Sequence, residues 1–343
     1  MQKKVLIGMS GGVDSSVASL LLKNMGYDVA GVTLKLYDGF DESSISDASK
    51  VCEKLGIKHY VFDLRKQFKD YVISDFVSEY KAGRTPNPCI VCNKYIKFGQ
   101  MMKIADELGF DMIATGHYAK ILEKGGKYYL NKAKDLSKDQ SYFLYNLTSE
   151  LLSRTVFPLG DLTKAQIRET AEQNGFVNAG KKDSQDICFV PDGDYVSVIK
   201  EIDKNVSESG DYVDINGNFL GKHKGVINYT IGQRKGLSIA LGKPQFVIDK
   251  NAETNVVVLG DEEHLFKTEV MLKDVNFVTE KVTEEIRVTA KLRYRHTASE
   301  ATLYPLGNNT VKIVFDEPQR APSSGQATVF YCGDTVVGGG III

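Results

Sequence analysis

Ser10-Gly11-Gly12-Val13-Asp14-Ser15-Ser16 is the stretch that decides the fold of this chain. It follows an apolar run at residues 5–8, which is typical of a buried strand, and it precedes apolar residues spaced as one face of a helix. The stretch is therefore predicted to be a strand-to-helix turn rich in glycine and hydroxyl groups. Because such a turn points backbone N–H groups and a helix N-terminus at an anion, a phosphate is the expected ligand.

This turn differs from the two commonest phosphate-binding loops. It lacks the Gly-Lys-Ser/Thr ending of the Walker pattern, and it lacks the third glycine that opens the helix in the dinucleotide fingerprint. It is similar to the SGGxDS loop of the N-type ATP pyrophosphatases, which split ATP between the α and β phosphates and adenylate a substrate oxygen. A plain Gly-Ser turn in an α/β fold is the alternative that the loop alone leaves open.

The composition is that of a globular protein with two or three domains. The chain has 343 residues, of which 42% are hydrophobic and 25% are charged. No apolar run approaches the ~18 residues of a membrane span, and the chain enters a strand too early for a targeting peptide. The net charge of −1 does not point to a nucleic acid, but a local basic surface would suffice to bind one. The five cysteines suit free thiols, metal ligands or catalytic groups in a cytoplasmic protein better than a disulfide framework.

The first third of the chain alternates predicted strands and helices. This order indicates an α/β domain built on a parallel sheet with helices on both faces. Ligands of such a sheet bind at the carboxyl ends of its strands, where residues 10–16 and 116–118 both fall. The segment 84–89 is predicted to be non-helical because two prolines interrupt it. The predicted strands are residues 5–8, 28–34, 59–64 and 112–115, and the predicted helices are 13–21, 47–55, 68–80 and 95–108.

The rest of the chain changes in character along its length. A hairpin with its tip at Gly125-Gly126 is predicted first. Helices at 140–152 and 164–174 and a polar loop at 183–194 follow. From about residue 204, short alternating runs between Asn-rich turns predict two small, mainly-β domains. The predicted domains are residues 1–200, 204–268 and 269–343.

The cysteines are the second group of candidate functional residues. Cys89-Ile90-Val91-Cys92 lies where a helix begins, and a helix N-terminus lowers the pKa of a thiol. Cys188 lies in the polar loop, whereas Cys52 and Cys332 are predicted to be small buried hydrophobes. A lone CxxC pair is weak evidence, because it also suits zinc if Cys188 and His117 complete a four-ligand site.

Six motifs in order along the chain resemble those of the tRNA-specific 2-thiouridylase family, and they span most of the sequence. Toward the C-terminus the resemblance is weaker, although Arg293-Tyr294-Arg295 and Gly325-Gln326 are similar to tRNA contacts of that family. The six motifs are GMSGGVDSS from Gly8, TPNPCIVCNK from Thr85, ATGHY from Ala114, DQSYFL from Asp139, SQDICF from Ser184 and YTIGQRKGL from Tyr229.

The resemblance implies ATP-dependent placement of sulfur on carbon 2 of the wobble uridine of tRNA. It implies a PP-loop fold of the adenine nucleotide alpha hydrolase type in the N-terminal domain and a β-barrel at the C-terminus. The implied nucleotide-binding residues are Gly8, Met9, Ser10, Gly11, Gly12, Val13, Asp14, Ser15, Leu34 and Gly116. The implied tRNA-binding residues are Asn87, Asn93, Lys94, His117, Lys138, Asp139, Gln140, Arg293, Tyr294 and Gln326.

The same resemblance assigns roles to two thiols. Cys188 matches the cysteine that carries a persulfide, and Cys92 matches the nucleophile that attacks this persulfide or resolves it as a disulfide. The chemistry is consistent, because a uracil oxygen becomes a leaving group once joined to AMP and a soft sulfur can then replace it. The expected cofactor is ATP with Mg²⁺, and the expected location is the cytoplasm. The expected partners are tRNA and a sulfur donor, either a cysteine desulfurase or a sulfur-relay protein.

Cys89 departs from the family pattern, in which many members have an Asp with an acid–base role. With Cys92 and Cys188 it makes a trio that would suit a [4Fe–4S] cluster. An iron–sulfur version of the same reaction is therefore one alternative. A different adenylating ligase of the PP-loop group is another, although it would leave the thiols unexplained. A tRNA-binding sensor of iron or redox state is a third, and it would leave the phosphate loop unexplained.

Overall fold

The structure is a computed structural model that describes residues 2–181, 186–190, 193–204, 206, 208–240, 242–278 and 280–343. Its N-terminal part contains a five-stranded sheet of order β3-β2-β1-β4-β7, and every neighbouring pair is parallel. The predicted parallel sheet is thus confirmed. Its strands are β1 Lys4–Gly8, β2 Asp28–Lys35, β3 Lys58–Asp63, β4 Met112–Ala114 and β7 Thr155–Val156.

Helices pack on both faces of this sheet. Val5 and Ile7 of β1 contact one helical layer and Leu6 contacts the other, and all three side chains are fully buried. This apolar run is what a parallel strand covered on both faces requires. The layer next to Val5 and Ile7 contains α1 Val13–Asn24, α2 Glu42–Leu55 and α8 Lys164–Gln173.

The opposite layer consists of two long helical runs, each with a π-helical segment in the middle. The first is α3 Arg65–Phe68, a π segment Lys69–Ile73 and α4 Ser74–Lys81. The second is α5 Pro88–Cys92, a π segment Asn93–Gln100 and α6 Met101–Glu107. The predicted stripe of Phe68, Val72, Phe76 and Tyr80 is buried in this layer.

Three local predictions need correction. Residues 84–89 are non-helical only as far as Asn87, because Pro88 occupies the first helical position, where its missing N–H is not needed. The second helix begins at Glu42 rather than at residue 47, since the Asp41 carboxylate caps it by accepting from Ser43 N at 2.9 Å. The helix predicted at 140–152 is instead a 3₁₀ turn, Ser141–Leu144, followed by α7 Ser149–Ser153.

The C-terminal half is mainly β, as predicted. After α9 Tyr195–Ile202 comes a four-stranded sheet, and then a six-stranded barrel that is closed by pairing of its first and last strands. The domain boundaries stay a prediction, and the first barrel strand begins at Phe266. The four-stranded sheet contains β8 Gly210–Val213, β9 Phe219–His223, β10 Phe246–Asn251 and β11 Val256–Gly260. The barrel strands are β12 Phe266–Phe277, β13 Ile286–Lys291, β14 Ser299–Gly307, β15 Thr310–Arg320, β16 Ala327–Cys332 and β17 Thr335–Ile342.

The barrel is docked against the parallel-sheet domain. The predicted hairpin, β5 Lys120–Lys124 and β6 Lys127–Asn131, pairs with β17 at the edge of the barrel. The fully buried Tyr142 hydroxyl donates to Ala327 O at 2.8 Å. Side chains of both domains can therefore share one cleft. Within the described ranges, no helix combines the length and the apolarity that a membrane crossing requires.

Candidate functional site

The phosphate loop has the strand-to-helix position predicted for it, between β1 and α1. Gly11 has φ +71°, and a Cβ at this position would lie 2.4 Å from the carbonyl oxygen of Ser44 in α2. A Cβ at Gly116, which follows β4, would lie 2.9 Å from Ser15 N. Glycine is required at both positions, since the loop is pressed between α2 and the chain that follows β4.

Hydrogen bonds hold the loop in shape. Ser15 Oγ donates to Gly12 O at 3.1 Å, and buried Asn178 Nδ2 donates to Gly11 O at 3.0 Å and to Ser16 Oγ at 2.9 Å. Gly12, at the start of α1, offers no side-chain cap, so the first N–H groups of this helix remain available to an anion. No sequence signal pointed to Asn178, which lies far from the loop in the chain.

A lysine that sequence reasoning missed is bound to the loop carboxylate. Lys164 Nζ donates to both oxygens of Asp14, at 2.7 and 2.9 Å, and Tyr118 Oη donates to the same carboxylate at 2.7 Å. The capping box of Thr163 and Gln166 makes Lys164 the first residue of α8 and so fixes the position of its backbone. A cation is thereby placed directly beside the phosphate loop.

A cleft of about 1160 Å³ opens at the carboxyl ends of the strands, with the loop on one side and the barrel on the other. Six lysines and arginines line it against three aspartates, so it favours anionic ligands. The predicted residues that line the cleft are Gly8, Met9, Ser10, Gly12, Val13, Asp14, Ser15, Leu34, Asn87, Cys89, Gly116, His117, Lys138, Asp139, Gln140, Arg293, Tyr294 and Gln326. The predicted residues outside its lining are Gly11, Cys92, Asn93, Lys94 and Cys188.

The three candidate thiols lie within electrostatic reach of one another. Cys92 is buried, whereas Cys89 and Cys188 keep solvent access, and all three are free of disulfides. Burial raises the pKa of Cys92 to about 12, and the nearby charges of Cys188 and Cys89 add to this effect. Desolvation by the surrounding protein raises the pKa of Cys188 to about 11, and it also raises the pKa of Cys89. The predicted lowering by the helix N-terminus is therefore wrong, because burial dominates.

His117 is a neutral imidazole at the wall of the cleft. It is buried, and its Nδ1 lies 2.7 Å from Thr115 Oγ1. Burial and the charge of Lys97 hold the pKa of His117 well below the usual value. The ring therefore adds no positive charge to the cleft at neutral pH.

Several predicted tRNA-binding residues also make structural hydrogen bonds. Asn87 Oδ1 accepts from Cys89 N at 3.2 Å and so caps the thiol-bearing helix. Gln326 Nε2 donates to Thr85 O at 2.8 Å, between the two domains. Arg293 Nη2 donates to Ala321 O and, at 2.8 Å, to a serine of the barrel. These side chains shape the cleft wall in addition to any contact with a ligand.

The structure gives no support for the iron–sulfur alternative or for zinc. In the part of the chain that the structure describes, no three His, Cys, Asp or Glu side chains are grouped to hold a metal ion. Cys89, Cys92 and Cys188 all belong to that part. Ser184 and Gln185 of the fifth motif lie outside the described residues.

The fold and the site define a nucleotide-binding α/β protein of the PP-loop class with two β domains attached. Family models match in three blocks: a "tRNA methyl transferase HUP domain" over residues 3–192, a "tRNA methyl transferase PRC-barrel domain" over 198–261 and an "Aminomethyltransferase beta-barrel domain" over 267–342. The order of these blocks confirms the predicted fold class.

Curated relatives match along the full chain. The tRNA-specific 2-thiouridylase MnmA of Clostridioides difficile (strain 630) is 53% identical, and the match covers 100% of this chain and 98% of the relative. Those of Clostridium beijerinckii and Clostridium acetobutylicum are 51% and 50% identical, with 100% of this chain and 99% and 100% of the relatives covered. This chain belongs to the tRNA-specific 2-thiouridylase family.

Proposed function

We propose that this protein places sulfur on carbon 2 of the wobble uridine of tRNA in a reaction driven by ATP. The observation that carries the proposal is that a phosphate-binding loop and a group of thiols lie at one cleft. The phosphate loop and Cys89 line that cleft together, and Cys92 and Cys188 are within electrostatic reach of Cys89. Membership of the 2-thiouridylase family and the names of its members support the same activity.

The first half-reaction is adenylation. ATP binds with its phosphates on the N–H groups at the start of α1 and with its adenine beside Leu34, which lines the cleft. The uracil oxygen O2 attacks the α phosphorus, the bond to pyrophosphate breaks, and the oxygen is joined to AMP while N3 gives up its proton to water. N3 takes a proton back when the S–S bond opens in the second half-reaction. Mg²⁺ bound to the ATP phosphates would offset their negative charge, and the loop carboxylate, Asp14, already accepts hydrogen bonds from Lys164 and Tyr118.

The second half-reaction moves sulfur. A persulfide on Cys188, supplied by a cysteine desulfurase or a sulfur-relay protein, attacks carbon 2 with its terminal sulfur, and AMP leaves with the oxygen. The Cys92 thiolate attacks the inner sulfur, the S–S bond breaks, and its electron pair stays on the sulfur now bound to carbon 2. The products are 2-thiouridine and a Cys92–Cys188 disulfide, which a dithiol must reduce before the next turnover. If Cys92 acts first and releases hydrosulfide, the products are the same.

The barrel side of the cleft suits the tRNA. Lys291, Arg293 and Arg295 line it, as does Lys138 from the parallel-sheet domain, and cations of this kind neutralise a phosphate backbone. Phe143 and Tyr294 lie there with ring centroids 4.4 Å apart, which offers aromatic faces to a base taken out of its stack. Because both tRNA and ATP are cytoplasmic substrates, we infer a cytoplasmic location.

Nucleoside mass spectrometry after incubation of tRNA with the protein, ATP and a persulfide donor tests the proposal. We expect 2-thiouridine that depends on ATP, and no methylated uridine, although the family models carry the words methyl transferase. Cys188→Ser should abolish the product while ATP binding persists. Cys332 of β16 is exposed rather than buried as predicted, so Cys332→Ser is the matched control and should form the product normally.

Three results would contradict parts of this scheme. If no 2-thiouridine forms under either aerobic or anaerobic conditions, the protein does not have the proposed activity. If Cys188→Ser keeps full activity, Cys188 does not carry the persulfide. Iron that co-purifies under anaerobic conditions and is needed for the product would revive the cluster that the side-chain geometry does not support.

A further inference from the structure

Lys97 is a cation at the thiols that neither half-reaction above uses. We propose that Lys97 is a positioning residue for sulfur transfer, which stabilises the anionic sulfur of Cys92 and Cys188 through the charge of its ammonium group. The inference deepens the proposed function and rests on it. It is carried by the helix geometry, by the surroundings of the lysine and by its effect on four neighbouring groups.

The π-helical segment brings Lys97 toward Cys92. In a regular α-helix, residues five apart lie about 140° apart around the axis and face different surroundings. The segment Asn93–Gln100 has π bonding instead, and Met101 N donates to Ile96 O across five residues. One extra residue per bonded turn brings residues i and i+5 closer together around the axis than in an α-helix. Cys92 and Lys97 are such a pair, so the π segment brings Lys97 closer to the side of the helix that carries Cys92.

The surroundings leave the lysine free to act on sulfur. Lys97 is half-buried and lines the cleft together with Cys89 and His117. Among the described residues, no carboxylate forms an ion pair with it at 4 Å or less. A partly desolvated charge without a counterion is screened less than a surface lysine, so it acts more strongly on its neighbours.

The electrostatic effect of Lys97 reaches every thiol of the site. Its charge lowers the pKa of Cys89, Cys92 and Cys188 against the larger, opposite effect of burial, and it lowers the pKa of His117 as burial does. Cys188 in turn raises the pKa of Tyr37. Besides these, the titratable side chains that line the same cleft include Asp14, Tyr118, Lys138, Asp139, Lys181, Asp186, Lys291, Tyr294 and His296.

This arrangement fits what sulfur transfer requires. Burial keeps the resting thiols protonated, with a pKa of about 12 for Cys92 and about 11 for Cys188. The attack on carbon 2 and the opening of the S–S bond each need an anionic sulfur. A cation beside the sulfur atoms lowers the cost of that anion without opening the site to water.

Thiol reactivity without tRNA or ATP tests the inference. The rate of iodoacetamide alkylation of Cys188 and Cys89 is followed by peptide mass spectrometry from pH 7 to 11. Lys97→Met removes the charge and keeps most of the stem, whereas Lys97→Arg keeps the charge. Lys103→Met, at an exposed lysine of the same helical run, is the control. Since an opposite charge shifts a pKa by about one unit or more, Lys97→Met should alkylate about tenfold more slowly at pH 8.

Lys97→Arg and Lys103→Met should alkylate as the unaltered protein does. Equal alkylation rates for Lys97→Met and the unaltered protein would overturn the inference, even if 2-thiouridine forms. The alkylation result also stands by itself if tRNA proves not to be the substrate, so the two failures are distinguishable. In steady-state turnover with a dithiol present, Lys97→Met should lower kcat and leave KM for tRNA unchanged. A change in KM alone would make Lys97 a tRNA contact instead.

Discussion

Because the phosphate loop packs closely against α2, we predict that Gly11→Ala lowers stability or ATP binding far more than an ordinary glycine substitution does. Gly11 has φ +71°, and an added Cβ would lie 2.4 Å from Ser44 O and 2.8 Å from Ser44 Cα. Gly109 is a matched control, because its φ is +73° and its added Cβ would meet nothing within 4 Å. The two substitutions share the backbone strain and differ only in the clash.

The magnitude follows from these two terms. A non-glycine residue in the left-handed region costs about 1–2 kcal/mol, which is the full cost expected for Gly109→Ala. The contact with Ser44 adds about 1–3 kcal/mol, because that carbonyl belongs to a helix and cannot move alone. Gly11→Ala should therefore destabilise the protein by roughly 2–5 kcal/mol, or displace the loop and weaken ATP binding by at least about tenfold.

Two measurements check this prediction. Urea unfolding is followed by circular dichroism, since the chain has no tryptophan to report by fluorescence. Binding of a non-hydrolysable ATP analogue is followed by calorimetry. If Gly11→Ala is no less stable than Gly109→Ala and binds the analogue equally well, the loop is not confined by α2 and the reasoning fails.

Three further predictions concern groups that hold or surround the site. Asn178→Ala removes the donor to Gly11 O and should cost about 1–3 kcal/mol in the same urea assay, with weaker binding of the ATP analogue. Tyr142→Phe removes the hydroxyl that donates to the carbonyl of buried Ala327, so it should cost about 1–3 kcal/mol and speed hydrogen exchange in β16. Alkylation of Cys188 in the ligand-free protein should keep accelerating until the pH nears its pKa of about 11.

Each of these predictions has a control or a contradicting outcome. Asn174→Ala, at an exposed amide bonded within its own helix, should change neither stability nor ATP binding. Tyr71→Phe, at an exposed tyrosine, should leave exchange in β16 unchanged. For Cys188, a plateau near the ordinary thiol pKa of 9.0 would show that burial does not govern its ionisation.

The phosphate loop could be predicted from the sequence because its shape and its ligand depend on residues that are adjacent in the chain. A buried strand, two glycines and several hydroxyl groups define the turn independently of how the rest of the chain folds. Lys164 and Asn178 were missed because they reach the loop only through the packing of α8 and the segment after it. The spacing of residues along a helix predicts its faces, but it does not predict a π segment such as Asn93–Gln100 between Cys92 and Met101.

The ionisation of the thiols shows a different limit of sequence reasoning. A CxxC at a helix start predicts a lowered pKa, since the helix dipole and the sequence position are both local. Burial of Cys92 depends on the layer formed by distant segments, and it raises the pKa of this thiol. The sign of the pKa shift was therefore decided by tertiary packing.

The docking of the barrel determines how this protein can be dissected. The barrel supplies Arg293, Tyr294 and Gln326 to the cleft wall and covers Tyr142, so it is no detachable tRNA-binding module. A chain cut before β12 would leave that tyrosine and the edge of β6 uncovered, and it should aggregate. Loss of thiolation in such a fragment would not separate weak tRNA binding from failed chemistry. Single substitutions on the cleft wall, with the barrel left in place, keep the two questions apart.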